Sequence, residues 1–395
     1  MSDYIICGEC PAEYRPHEIK AYLGDELAAT LDQLQRNKRA GKPSFSARIL
    51  RRSTGVRDRG DKKLRPRLDE LDRLRDYDFF CPRGHPVDGN PGEQFGIGVL
   101  GASGASKSHY LAAIVREMFD MSSLRPAGVS LREAVYTNPE LSRQVVEVYR
   151  RNRSLPATPP GELFGPFGYK LLVNSGNGVA PTQRSMLLYD IAGEDLTGIT
   201  RIVNQAPFVI LCRALIVLID PVKFVPSEFD YGPDDDKARL NAARDVRGGI
   251  QVLAETLAEV YGVPHSQELD IPICFALSKA DAVEWNGAFD WEGQTAAVLG
   301  AEDLHSALQD SSQATREALI QLGGGLVIDE IEDCFNPEVT RFVAASATST
   351  MPVKNAAPDQ PEWVEDPEPK GVALSVLQVL DASGLLPRAA AAADV

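Results

Sequence analysis

Six short apolar runs, each rich in Val, Ile and Leu or in small residues, divide the chain from residue 95 onward. They are FGIGVLGA (95–102), YKLLV (169–173), SMLLYDI (185–191), ALIVLID (214–220), IPICFALS (271–278) and RFVAAS (341–346). Strands that are apolar throughout, and not at alternate positions only, must be covered on both faces. Helical periodicity supplies the cover, in SHYLAAIVREMF (108–119), over 236–261 and over 311–321. The pattern predicts an α/β fold with a mostly parallel sheet, in which ligands sit beyond the carboxyl ends of the strands. After the last strand comes a Pro- and acid-rich stretch, NAAPDQPEWVEDPEPK (355–370), and then GVALSVLQVLDASGLL (371–386), predicted to be a helix packing back on the sheet.

Charge is distributed unevenly. The 395 residues carry a net charge of −15, which argues against a protein that coats nucleic acid or hugs a membrane as a whole. Yet residues 36–75 hold fifteen basic and five acidic side chains, a local excess of ten positive charges. Such a stretch reads as an arm or inserted subdomain. The start, MSDYIICGEC, lacks a basic segment followed by a long apolar run, so no signal peptide is expected. Phe208–Ile219 is broken by Arg213 and closed by Asp220, and reads as a buried strand rather than a membrane span. Six cysteines without a secretory signal place the chain in a reducing compartment, the cytoplasm.

The motifs fall at the strand ends. Gly101, Ala102, Ser103, Gly104, Ala105, Ser106, Lys107 and Ser108 follow the first strand and open a helix, the layout of the phosphate loop G-x-x-x-x-G-K-[ST]. Such a loop cradles phosphate oxygens with backbone N–H groups, helped by the positive end of the helix dipole. Lys107 is placed to reach the β- and γ-phosphates, and Ser108 to offer its hydroxyl to Mg²⁺. Ser106 stands where the motif has its last glycine. Asp190-Ile-Ala-Gly193 ends the third strand, where the carboxylate of Asp190 would hold Mg²⁺ and the Gly193 amide would meet the γ-phosphate. Ser278-Lys279-Ala280-Asp281 ends the fifth, close to the guanine-reading [NT]KxD. Asp281 can accept from guanine N1–H and its exocyclic amine, neither of which adenine presents, while the Lys279 stem lies along the base and Ser278 bonds to the phosphate loop. Ser346-Ala347 ends the sixth strand, with backbone amides suited to guanine O6.

These motifs follow separate strands in the order of a G domain, and over residues 93–385 the chain resembles the TRAFAC class of P-loop GTPases. Within that class it looks most like the bacterial double-GTPase family. The resemblance implies a P-loop NTPase G domain, GTP or GDP with Mg²⁺ as ligands, a second GTPase as partner, and a place in bacterial defence or conflict systems. A switch threonine is then needed between the phosphate loop and Asp190. Thr158, flanked by prolines, is the leading candidate, with Thr182 and Thr137 as competitors. Glu194 occupies the slot of the water-orienting residue, which favours slow hydrolysis aided by a partner, and Arg184 and Arg201 are candidates for charge stabilisation.

Residues 1–92 form a separate zinc-knuckle-like region. Cys7, Cys10, Cys81 and His85 make a Cys₃His set suited to structural Zn²⁺, with free thiols as the alternative. Between them lies a helix expected at 17–39 and the basic helical insertion, whose few aromatics favour a solvated arm over nucleic-acid binding. Cys212, Cys274 and Cys334 are expected in the core. Residues 386–395 form a frayed, alanine-rich tail. The function implied is a Mg²⁺-dependent GTPase switch, with a nucleotide-binding scaffold of negligible turnover as the rival, and a P-loop ATPase or kinase behind both.

Overall fold

The computed structural model describes residues 94–101, 106–119, 128–133, 139–155, 167–173, 182–192, 212–226, 236–261, 263–264, 267–285, 287, 289–350 and 366–386, together with five short strands nearer the N-terminus. The chain divides into two compact units, one of residues 1–94 with 134–136 and the other of 95–133 with 137–395.

In the first unit, β1 (Ile5–Cys7) pairs antiparallel with β2 (Ala12–Tyr14), Cys7 opposite Ala12. A second antiparallel sheet joins β3 (Lys20–Leu23), β4 (Tyr77–Phe80) and β5 (Pro86–Val87) in that order. β3 corrects the helix expected from residue 17. Ala21 and Leu23 alternate with Lys20 and Tyr22, and cross-strand pairing with β4 (Leu23 opposite Tyr77) overrides the local helical preference. The rest of that helix, and the basic segment 36–75, lie outside the described residues.

The second unit is built on a seven-stranded sheet. Its strands are β6 (Gln94–Gly101), β7 (Val129–Glu133), β8 (Phe167–Val173), β9 (Thr182–Ala192), β10 (Ala214–Ile219), β11 (Ile273–Leu277) and β12 (Thr340–Ala344), in the spatial order β12-β11-β10-β6-β9-β8-β7. β6, β10, β11 and β12 are parallel neighbours, and β7, β8 and β9 pair antiparallel. The chemistry of the connections explains the division. Eight residues, NSGNGVAP (174–181), join β8 to β9, too few for a parallel crossover, whereas helices separate the parallel strands. β7 was not foreseen, because VSLRE carries only two strongly apolar residues.

Every residue of β10, β11 and β12 is buried. One face, with Ile97, Val99, Ile216, Leu218, Ala276 and Val343, packs against α1 (Lys107–Phe119) and α7 (Val372–Ala382) in one core cluster. On alternate residues of β11 and β12, Phe275 stacks on Phe342 with centroids 5.9 Å apart and meets Phe335 edge-on at 5.5 Å. Phe335 directly follows α6 (Gly325–Cys334), which packs on α3 (Asp236–Tyr261). Two shorter-range elements, α4 (Gln294–Leu299) and α5 (Leu304–Leu319), lead into them, and α2 (Pro139–Tyr149) lies against α1. α5 begins earlier than its sequence pattern indicated because Asp303 caps it, accepting from the His305 and Ser306 amides. α7 packs back on β10, β11 and β12 as its sequence suggested. Cys212 and Cys274 are buried, but Cys334 is only half-buried at the end of α6. Among the described residues no helix is long and apolar enough to cross a membrane.

Candidate functional site

The register of the parallel strands decides where the motifs meet. Gly101 at the end of β6 lies opposite Leu218, Ile219 opposite Leu277, and Leu277 opposite Ala344. Parallel neighbours in register finish on the same edge, so the loops after β6, β10, β11 and β12 leave the sheet side by side. Neighbouring strands are about 4.8 Å apart, which puts the phosphate-loop strand and the SKxD strand roughly 10 Å from each other. That spacing suits a nucleotide reaching from phosphate to base.

At the first of these ends, Ser106 has φ +60°, in the left-handed region. Glycine suits this position because it has no Cβ, and serine there costs about 1–2 kcal/mol of backbone strain. The Ser106 carbonyl accepts the Tyr110 amide at 2.9 Å, the first turn of α1. Lys107 folds back over the loop, its Nζ donating to the Gly101 carbonyl at 2.8 Å. Ser108 lies in the first turn of α1. Ala102, Ser103, Gly104 and Ala105 lie outside the described residues.

The second and third ends are tied together. Lys279 also has φ +59°, and its Nζ donates to Asp220 Oδ2 at 2.6 Å. Asp220 is almost fully covered, and its other oxygen has no partner among the described residues. The Ser278 hydroxyl donates to the Ile219 carbonyl at 3.1 Å, and its amide to the same carbonyl at 2.8 Å; the bond expected to the phosphate loop falls on residues outside those described. Asp281 is drawn into the fourth end by a hydrogen bond with the Ser346 side chain. Burial raises its carboxyl above the ordinary value, against the opposing pull of Ser346, of its own amide, and of Lys279 and Lys370. Its Oδ1 is covered and has no partner among the described residues.

The loop after β12 is held from two sides. The Ala345 amide donates to Leu277 at 3.0 Å and the Ala280 amide to Ala345 at 3.1 Å, zipping it to the SKxD turn. Ser346 and Lys370 exchange two backbone bonds of 2.9 Å, and the Ser349 amide donates to Ser346 Oγ at 2.8 Å. Ala347 is nearly buried, and its carbonyl accepts from the Tyr149 hydroxyl at 2.6 Å.

Asp190 lies near the end of β9, the strand beside β6, with only its backbone described. Thr158, Gly193, Glu194, Thr137 and Arg201 lie outside the described residues, as do Cys10, Cys81 and His85. Cys7 closes β1. Sequence reasoning missed Asp220 at the site, and the contacts of Tyr149 and His109 beside it. Asp220 had a signal, being the acidic residue that closes an apolar strand as Asp190 does. Tyr149 and His109 had none, since their partners lie far along the chain.

No family model matches the chain, and no curated protein does. Among solved structures the chain is similar to sup35 complexed with GDP, at 13% identity and a TM-score of 0.27, covering 73% of this chain and 44% of that one. It is also similar to the GTPase-like domain of Ski7 from S. cerevisiae bound to GTP, at 17% identity and a TM-score of 0.30, covering 74% and 50%. The chain spans half or less of the length of these two structures.

Proposed function

We propose that this protein binds a guanine nucleotide with Mg²⁺ and hydrolyses GTP to GDP and phosphate, working as a switch. One observation carries the reading: the register of β6, β10, β11 and β12 delivers Lys107, Asp220–Lys279, Asp281 and Ser346–Ala347 to a single sheet edge. The residues fit the ligand. Asp281 keeps a covered acceptor without a partner among the described residues, the kind of group whose cost a hydrogen-bonding ligand offsets. Lys107 is the cation for the phosphates, with backbone amides of residues 101–108 as the cradle. Mg²⁺, held by Ser108, Asp190 and Thr158, would neutralise charge on the phosphates. Glu194 would orient the water that attacks the γ-phosphorus as the bond to the GDP oxygen breaks.

The strain at Ser106 favours a second reading, a nucleotide-binding scaffold with negligible turnover. Purified protein titrated with fluorescent GDP, then challenged with ATP or GTP, tests guanine preference. Phosphate release from Mg²⁺–GTP that disappears in Lys107→Ala supports hydrolysis; binding without release supports the scaffold. Equal competition by ATP and GTP refutes the guanine reading. The bacterial double-GTPase assignment, with a second GTPase as partner and a role in defence or conflict, is part of this proposal and rests on the resemblance alone.

The first unit is proposed to hold structural Zn²⁺ through Cys7, Cys10, Cys81 and His85. In support, Cys7 ends β1 with Cys10 in the connection to β2, Cys81 and His85 fall in the connection of the β4–β5 hairpin, and β1 packs beside β5. Metal analysis of purified protein tests it, with one zinc per chain expected and none in Cys7→Ser/Cys10→Ser.

A further inference from the structure

Between α2 and the end of the described segment at Leu155, the chain makes a short connector with contacts at both ends. Its beginning, Tyr149, donates its hydroxyl to the Ala347 carbonyl in the loop after β12. At its far end, the Leu155 amide donates to Nε2 of His109 at 3.0 Å, and Ser154 Oγ lies 3.3 Å from the same nitrogen. His109 stands in the first turn of α1, two residues beyond Lys107. Because a backbone N–H can only donate, Nε2 must be an unprotonated acceptor. The connector itself is braced. Asn152 takes φ +54° to turn the chain out of α2, the Arg153 amide returns to the Glu147 carbonyl at 2.9 Å, and Glu147 pairs with Arg151.

We infer that His109 and Tyr149 are positioning residues that make the 149–155 connector a strut between the phosphate-binding helix and the base-reading loop. Neither touches a nucleotide in this arrangement. Together they fix the separation of the two halves of the site, through contacts that the strands themselves do not provide. The inference rests on the guanine-nucleotide reading and adds the residues that set the site's span.

A strut of this kind matters only to a ligand that engages both halves. GDP does so, while guanosine, lacking phosphates, engages the base loop alone. The test compares their dissociation constants in the full chain, for wild type and four variants, with melting temperatures alongside. His109→Leu keeps volume and removes the acceptor. His109→Gln carries an oxygen near the place of Nε2 and His109→Asn carries it one bond short, so these two keep the comparison open should the leucine variant fold poorly. Tyr149→Phe cuts the other end. Loss of one hydrogen bond predicts GDP binding weaker by roughly threefold to tenfold in His109→Leu, His109→Asn and Tyr149→Phe. Guanosine binding should stay within about twofold and His109→Gln should recover GDP affinity. Unchanged GDP affinity, parallel loss of GDP and guanosine, or no recovery by glutamine overturns the strut while leaving the nucleotide reading intact. A wild-type protein that binds neither GDP nor guanosine removes that reading, and the strut with it.

Discussion

Replacing Glu117 by glutamine tests how α1 holds the C-terminal helix. The Glu117 side chain accepts the amide of Ala373 and is held by those of Val372 and Gly371 as well, so it caps α7 from a neighbouring helix. Burial is the largest influence on this carboxyl, the three amides oppose it, and Glu368 adds repulsion, leaving it raised from 4.5 to about 7. Below 4.5 the folded and unfolded chains both carry the proton. As pH rises from there to about 7, the unfolded chain loses it first, so folding becomes less favourable across that window and levels off above it. At about 1.4 kcal/mol per pH unit the full shift corresponds to at most about 3.5 kcal/mol, and partial contact with water brings it toward about 2 kcal/mol. Glutamine stays neutral at every pH and still offers an oxygen to the amides. Urea unfolding of both proteins at pH 5, 6, 7 and 8 reads the difference, because other titrating groups, His109 and Asp281 among them, are common to the two. The stability of Glu117→Gln relative to wild type should climb by roughly 2 kcal/mol from pH 5 to pH 8. A difference that stays flat over that range refutes the burial argument.

Other substitutions test the site and its frame. Ser106→Gly relieves the left-handed serine and should stabilise the protein by about 1 kcal/mol in the same urea assay. Lys279→Met leaves Asp220 covered and unpaired and should cost on the order of 2–3 kcal/mol, most of which Lys279→Met/Asp220→Leu recovers. At Gly371, φ is +72° and an added Cβ would sit 2.4 Å from the Ala344 carbonyl, so Gly371→Ala should destabilise by more than about 2 kcal/mol and lower the melting temperature. Asp281→Asn should erase most of the preference of the site for GTP over ATP, on the order of a hundredfold in competition binding, with Lys107 still holding the phosphates.

The parallel half of the sheet was legible because its strands are apolar on both faces, and a run such as ALIVLID has no other stable home. The α3 boundaries, 236–261, were equally plain from the periodicity. The antiparallel half was not. β7 has little apolar content, and only its cross-strand partner in β8 makes it a strand. The motif residues were readable as types in an order, and the register aligns the ends of three strands that carry them, β6, β11 and β12. What sequence could not supply is the second layer: Asp220 under Lys279, Ser278 turned to Ile219, and His109 and Tyr149 on carbonyls and amides far along the chain. Such bonds depend on tertiary placement and leave no periodicity or spacing behind them.

α7 is sequestered along most of its length, and its residues from Val372 to Leu380 fill the core face of strands made earlier in the chain. Until that helix has left the ribosome, β10, β11 and β12 have an apolar face only partly covered, and a nascent chain must be shielded by a chaperone or risk sticking to its neighbours. A stop codon placed just ahead of residue 372 should therefore yield aggregates in the cell rather than a shortened working domain.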